Sequence, residues 1–160
     1  MKPSVYLETT IVSYLAAKPS RDTIVAGHQT ATHLWWEYSK DAYDLFVSSL
    51  VIEESEAGDA DAASRRLAYL AHLPSLSVTE SAKELAGILI KDRIIPQGYA
   101  EDAIHIAVCA IHNIDFLVTW NCRHLANALT RKRIEKVIQE QGFRCPVICT
   151  PEELMENNDV

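Results

Sequence analysis

Short β-prone runs alternate with stretches of helical periodicity along the chain. Ser4-Val5-Tyr6-Leu7 opens it as a strand, followed by the polar turn Glu8-Thr9-Thr10 and a helix-compatible stretch from Ile11 to Ala17. Pro19-Ser20 breaks the chain, and from Arg21 to about Tyr38 the apolar residues Ile24, Val25, Ala31, Leu34 and Trp35 recur at helical spacing. Leu45-Phe46-Val47 is a second strand running into Ser48-Ser49. Leu50 to Ala57 is then a short helix stopped by Gly58, with Asp59 placed to cap a helix from Ala60 to Leu73. Pro74 ends that helix, and Leu76-Ser77-Val78 predicts a short third strand.

The alternation continues through the second half. Ser81 with Glu84 fits a capping box for a helix to about Lys91, and Arg93 to Gly98 is a connection bearing Pro and Gly. From Asp102 to Ile111 nearly every residue is apolar, which predicts a helix buried on most sides. Phe116-Leu117-Val118 is a strand, Asn121 to Thr130 a polar connection with a helical turn, and Arg131 to Gln141 a basic helix ended by Gly142. Pro146-Val147-Ile148 is the last strand. Thr150-Pro151-Glu152-Glu153 combines an N-cap, a proline at the first helical position and a capping-box glutamate, predicting a terminal helix. Strands alternating with helices, without tight hairpins, predict an α/β domain: a mostly parallel central sheet flanked by helices on both faces. The expected organisation is a single domain over residues 1–156, with a frayed C-terminal tail at 157–160.

Composition narrows the function. The chain has 160 residues, 48% hydrophobic and 23% charged, values of an ordinary globular domain rather than a fibrous or disordered one. No stretch approaches the roughly 20 apolar residues of a membrane span, and Met1-Lys2-Pro3 starts no apolar leader, so the expected location is cytoplasmic. Cys109, Cys122, Cys145 and Cys149 follow no zinc or disulfide spacing. The net charge of -7 argues against nucleic-acid binding by counterion release alone, while allowing a site where cations offset gathered carboxylates. Basic residues crowd one late segment, with Arg123, Arg131, Lys132, Arg133 and Lys136 forming either a phosphate- or partner-facing patch or a solvated helix face.

In open α/β sheets ligands collect beyond the carboxyl ends of the strands. Glu8 follows the first strand, Glu54 lies past the second, and Asn121 sits after Phe116 to Thr119; Asp102 stands at the start of the buried helix, where the helix dipole favours a carboxylate. Singly each has a structural explanation, as a surface helix residue, a first-turn acid or a turn residue. Together they place three carboxylates and an amide at one sheet edge, where like charges require a cation or protonation. An all-oxygen set without a Cys/His pattern suits Mg²⁺ or Mn²⁺, which can orient a water for in-line attack on a phosphodiester.

At these residues the chain resembles the PIN-domain family, more closely its toxin-like, VapC-type branch. Val5-Tyr6-Leu7-Glu8-Thr9-Thr10 resembles the first family motif, and Ser48-Ser49-Leu50-Val51-Ile52-Glu53-Glu54 the second. Ala100-Glu101-Asp102-Ala103-Ile104-His105-Ile106-Ala107 resembles the third, and Ile114-Asp115-Phe116-Leu117-Val118-Thr119-Trp120-Asn121 the fourth. The resemblance implies a Mg²⁺- or Mn²⁺-dependent endoribonuclease, a homodimer often restrained by a small antitoxin, with Glu8, Glu54, Asp102 and Asn121 as catalytic metal ligands. Glu8 stands where the family usually has aspartate, and the neutral Asn121 where it commonly has aspartate. Thr9 or Thr119 could hydrogen-bond a ligating carboxylate, and His105, one turn from Asp102, is either a ligand or orienting group or a satisfied core histidine. Arg123 and His124 are candidates to hold an RNA phosphate. Asp115 is read as structural, and Trp35-Trp36 as a partner anchor with at least one ring in the core. Two other readings remain: the same fold as an RNA- or partner-binding module without catalysis, and a receiver-like phosphotransfer domain, against which stands the absence of paired acids near the first strand.

Overall fold

The computed structural model describes residues 1–156; the tail expected at 157–160 lies outside the described residues. Five strands make one all-parallel sheet: β1 (Ser4–Leu7), β2 (Asp44–Ser48), β3 (Ser75–Leu76), β4 (Phe116–Val118) and β5 (Val147–Cys149), in the order β3-β2-β1-β4-β5. The helices are α1 (Thr9–Ala16), α2 (Thr23–Tyr38), α3 (Ser49–Glu56), α4 (Ala60–Leu70), α5 (Glu80–Lys91), α6 (Ala100–Ile111) and α7 (Ala128–Glu140). Helices α1 to α4 pack among themselves, as do α5 with α6 and α7. Right-handed crossovers impose this division, because strands added on opposite sides of β1 send their helices to opposite faces.

Burial explains the strand sequences. Val5, Tyr6 and Leu7 of β1 are buried, as are Leu117 and Val118 of β4 beside them. A central parallel strand covered on both faces needs a continuous apolar run rather than an alternating one. Helix α6 has the same property: Ala103 and His105 through Ala110 are all buried.

Most helices begin at a side chain that accepts a free backbone N–H. Asp22 caps α2 through Ile24 and Val25, both at 3.0 Å, Asp59 caps α4 through Ala62 at 2.9 Å, and Asn127 caps α7 through Leu129 at 3.0 Å. Helix α5 starts two residues before the expected box, since Thr79, not Ser81, accepts from Ala82 at 3.1 Å. Asn127 likewise starts α7 earlier than its basic run suggests. Pro151–Leu154 is a 3-10 turn rather than a terminal α-helix, although Glu153 does accept from the backbone of Thr150 at 3.1 Å. Gly142, at φ +84°, ends α7 in the left-handed region that a side chain disfavours.

Asp115 ties the amino end of the sheet together. Its Oδ2 accepts from Ser4 N at 2.8 Å and Ser4 Oγ at 3.0 Å, and its Oδ1 from Arg144 at 2.8 Å, so β1, β4 and the approach to β5 share one carboxylate. The Ser4 backbone N–H and the Arg144 guanidinium hold its carboxyl below the usual aspartate value. A depressed folded pKa gives stability that is present above the unfolded pKa and lost as pH falls through the folded one. We therefore expect Asp115→Ala to lower unfolding stability in urea by about 1–2 kcal/mol at pH 7, the group being partly exposed, with the difference shrinking below about pH 4.

Candidate functional site

Strand order reverses at the β1–β4 boundary, and such a switch point opens a crevice beyond the carboxyl ends of the two strands. Glu8 enters it directly from β1. Its backbone N–H donates to Val118 at 3.1 Å, extending the ladder by one residue and fixing where the side chain starts. The residue is only 5% exposed, and a carboxylate so buried requires donors. Oε1 receives them from Thr10 N at 3.2 Å, which caps α1, from Thr10 Oγ1, and from Thr119 Oγ1 at 2.6 Å. Both hydroxyls also accept: Thr10 from Trp120 N and Thr119 from Asn121 N, each at 2.9 Å. The first residues after β4 are thereby locked onto the first acid after β1.

Glu54 reaches the same edge from α3. Its Oε1 accepts from Thr9 Oγ1 at 2.7 Å and pairs with His105 Nε2 at 2.7 Å. His105, 1% exposed, turns Nδ1 to Tyr6 Oη at 2.6 Å, and that phenol lies 2.8 Å from Ser48 Oγ, which caps α3 by accepting from Val51 N. With a neutral imidazole the chain closes when Ser48 donates to Tyr6, Tyr6 to Nδ1, and Nε2–H to Glu54. Burial pushes His105 down, but the hydrogen bond to Glu54 and the charges of Glu8, Glu54 and Asp102 together outweigh it and raise its pKa. Burial likewise pushes Glu54 up, and the bonds from His105 and Thr9 reverse it, leaving the carboxyl below its usual value. For Tyr6 burial prevails, keeping the phenol neutral.

Asp102 is the third residue of α6. Its Oδ2 pairs with His124 Nδ1 at 2.7 Å. The Asn121 side chain shapes the turn that delivers His124, accepting from His124 N through Oδ1 at 3.1 Å. Against His124 packs the ring of Tyr99, centroids 4.3 Å apart, and the Arg123 guanidinium lies 5.8 Å from the Tyr99 centroid.

No protein-family model matches the chain, and no curated protein matches it. Solved structures do. A chain of VapBC2 from Rickettsia felis, crystallised with a DNA fragment from the promoter, aligns with a TM-score of 0.58 at 17% identity over 91% of this chain and 97% of that one. Mycobacterium tuberculosis VapC20, a toxin that cleaves the sarcin-ricin loop, aligns at 0.56 and 16% identity over 88% and 96%. The fold is PIN-like, that of the VapC toxins.

Within this VapC-like fold most of the sequence-predicted residues fall into two hydrogen-bonded groups, one running from Glu8 through Thr119, Asn121 and His124 to Asp102 and one around Glu54. Thr119 joins Glu8; Thr9 and His105 join Glu54; His124 joins Asp102. His105 is both a buried core histidine and an orienting group, since both ring nitrogens are satisfied and one of them holds an acid. Asn121 joins the first group through its backbone N–H and spends its amide oxygen on the turn. Arg123 lies over Tyr99 and makes no hydrogen bond or ion pair with the acids. Sequence reading missed Tyr6, Thr10 and Ser48. A phenol inside the apolar run Val5-Tyr6-Leu7 was the available signal, because a buried Tyr hydroxyl needs a partner.

Each of the three carboxylates takes its hydrogen bonds on a single oxygen, leaving the second oxygen of Glu8, Glu54 and Asp102 without a hydrogen bond among the described residues. That donor set fits a hard divalent cation. No three His, Cys, Asp or Glu side chains close into a tight metal cluster among the described residues, so the acids form an open edge rather than a cage. Thr119→Val should lower stability by about 1–3 kcal/mol, since it strips a buried carboxylate and the Asn121 N–H of one partner each. Thr119→Ser, which keeps the hydroxyl, should recover most of the loss in the same denaturant titration.

Proposed function

We propose that this chain is a metal-dependent endoribonuclease that hydrolyses RNA phosphodiester bonds, and the toxin of a toxin–antitoxin pair. The observation that carries the reading is that Glu8, Glu54 and Asp102, from three elements, each have one oxygen held by neighbouring side chains and stand at or beyond the carboxyl end of the switch point of a VapC-like sheet. Mg²⁺ or Mn²⁺ bound at these three acids beside Asn121 would offset charge on the phosphate and lower the pKa of an attacking water. The chain itself supplies positioning. Thr10 and Thr119 fix Glu8, Thr9 and His105 fix Glu54, and His124 fixes Asp102, so each acid enters the reaction with its orientation already set. Similarity to VapC20, a toxin, and to VapBC2, a complex, supports an RNA substrate and a protein partner; a homodimer belongs to the same reading.

A second reading has one observation in its favour. Asn121 is neutral and its amide oxygen already serves the His124 turn, which suits a domain that binds RNA or a partner with little or no cutting. Cleavage of a mixed single-stranded and structured RNA pool with Mn²⁺ separates the two. We expect cutting by the wild type, none with EDTA or in Asp102→Ala, and a loss of about 10- to 100-fold in His124→Ala, which removes only the group holding the acid. Cutting that persists in Asp102→Ala would overturn the assignment. Millimolar Mn²⁺ should also raise the melting temperature, because an ion bound to the native state stabilises it, and Glu8→Gln should diminish the rise.

A further inference from the structure

A net charge of -7 gives this protein no overall basic excess with which to hold RNA by counterion release. Several of its cations are already engaged: Arg131 forks onto Glu153 at 3.1 and 3.2 Å, Arg144 meets Asp115 at 2.8 Å, and Arg133 donates to the Arg93 carbonyl at 3.3 Å. A further means of gripping a single strand is stacking, worth about 1–3 kcal/mol per base and independent of a basic excess.

One exposed ring stands next to the acids. Tyr99 immediately precedes α6 and is 41% exposed, with no hydrogen bond to its hydroxyl among the described residues. His124, the partner of Asp102, packs against it with ring planes 61° apart, so the tyrosine and the acid share one neighbour. Arg123, exposed and without an ion pair among the described residues, lies near the same ring and offers a second flat cationic surface. The local geometry is a partly exposed ring with His124 between it and the Asp102 carboxylate.

Resting on the ribonuclease reading above, we propose that Tyr99, supported by Arg123 and His124, is the platform on which an unpaired nucleobase beside the cleaved phosphodiester stacks. Tyr99 and Arg123 are then positioning residues: they set which linkage lies over Asp102 and leave the chemistry to the acids. Because recognition is by a π-face, the platform accepts any base and favours the larger purine surface, and it requires the base to be out of a duplex.

The test is equilibrium binding of oligo(A) and oligo(U) 12-mers, and of an oligo(A) 12-mer with abasic positions, to the full chain with Ca²⁺ in place of Mn²⁺. Cleavage of the same RNAs with Mn²⁺ is followed in parallel. Tyr99→Leu, which keeps apolar bulk but removes the ring, should weaken oligo(A) binding by about 5- to 150-fold. Tyr99→Trp should restore it, and both variants should melt with the wild type. Abasic substitution should cost the wild type a similar factor and Tyr99→Leu little more. Arg123→Gln should flatten the slope of log affinity against log salt by about 0.7 if the guanidinium also meets a phosphate. Binding of oligo(A) by Tyr99→Leu within twofold of wild type would overturn the platform even if RNA is cut. Tyr99-dependent binding without cutting in Mn²⁺ would sustain the platform and remove the nuclease reading. No binding of any RNA would overturn both.

Discussion

The junction of the two central strands with α1 depends on the buried carboxyl group of Glu8. A carboxyl group 5% exposed at the end of a central strand is costly to bury without hydrogen-bond donors, and the fold supplies them from two directions. From the adjoining helix come the N–H and hydroxyl of Thr10, the second residue of α1, where the helix dipole is also favourable; from across the sheet comes Thr119 just after β4. One side chain is thus at once a helix cap and a clasp between the two central strands at their carboxyl ends. The structural demand falls on Oε1 and leaves Oε2 without a hydrogen bond among the described residues, which is why the polar Glu8-Thr9-Thr10 turn cannot be treated as a simple connection.

The second acid is tied to the core rather than to the sheet edge. The run from Ser48 through Tyr6 and His105 to Glu54 carries hydrogen bonding from the interior to the surface with every polar group satisfied. Networks of this kind rigidify when complete and are costly when any member is missing. Its members come from β1, β2, α3 and α6, so correct assembly of four elements is a precondition for the orientation of one carboxylate. The Asp102–His124 pair does the same for α6 and the turn after β4. Three acids therefore arrive with one oxygen fixed and one oxygen open, an arrangement suited to receiving charge from outside the chain.

The cations are distributed differently from the acids. The late basic segment supports the fold in part: Arg131 anchors the Pro151–Leu154 turn through Glu153, and Arg133 reaches the Arg93 carbonyl, two residues past the end of α5. Arg123 alone of the late arginines is drawn toward the acidic edge, through a ring instead of an anion. A site with acids oriented and cations mostly committed elsewhere favours neutral contacts with a polymer over a general attraction for phosphate.

The alternation of apolar runs and helical periods determined the α/β class, and the buried character of Val5-Tyr6-Leu7 and of Asp102 to Ile111 determined which strand and helix would be central. Glu8, Glu54, Asp102 and Asn121 were legible as post-strand or helix-start polar residues because topology, not packing detail, decides which end of a parallel strand opens to ligand. Local starts were less legible: Thr79 caps α5 although Ser81 has the capping-box glutamate, and Asn127 starts α7 several residues before its apolar spacing of Ile134, Val137 and Ile138 begins, so tertiary packing set both starts. Only the folded chain could decide that His105 faces Glu54 and Tyr6, that Thr10 and Thr119 meet on one carboxylate oxygen, and that Tyr99 lies against His124. These partners are up to 111 residues apart, as Thr119 is from Glu8. Sequence periodicity fixes the face on which a side chain stands; the registry between elements, which sets who meets whom within hydrogen-bond distance, is settled by burial of the whole core.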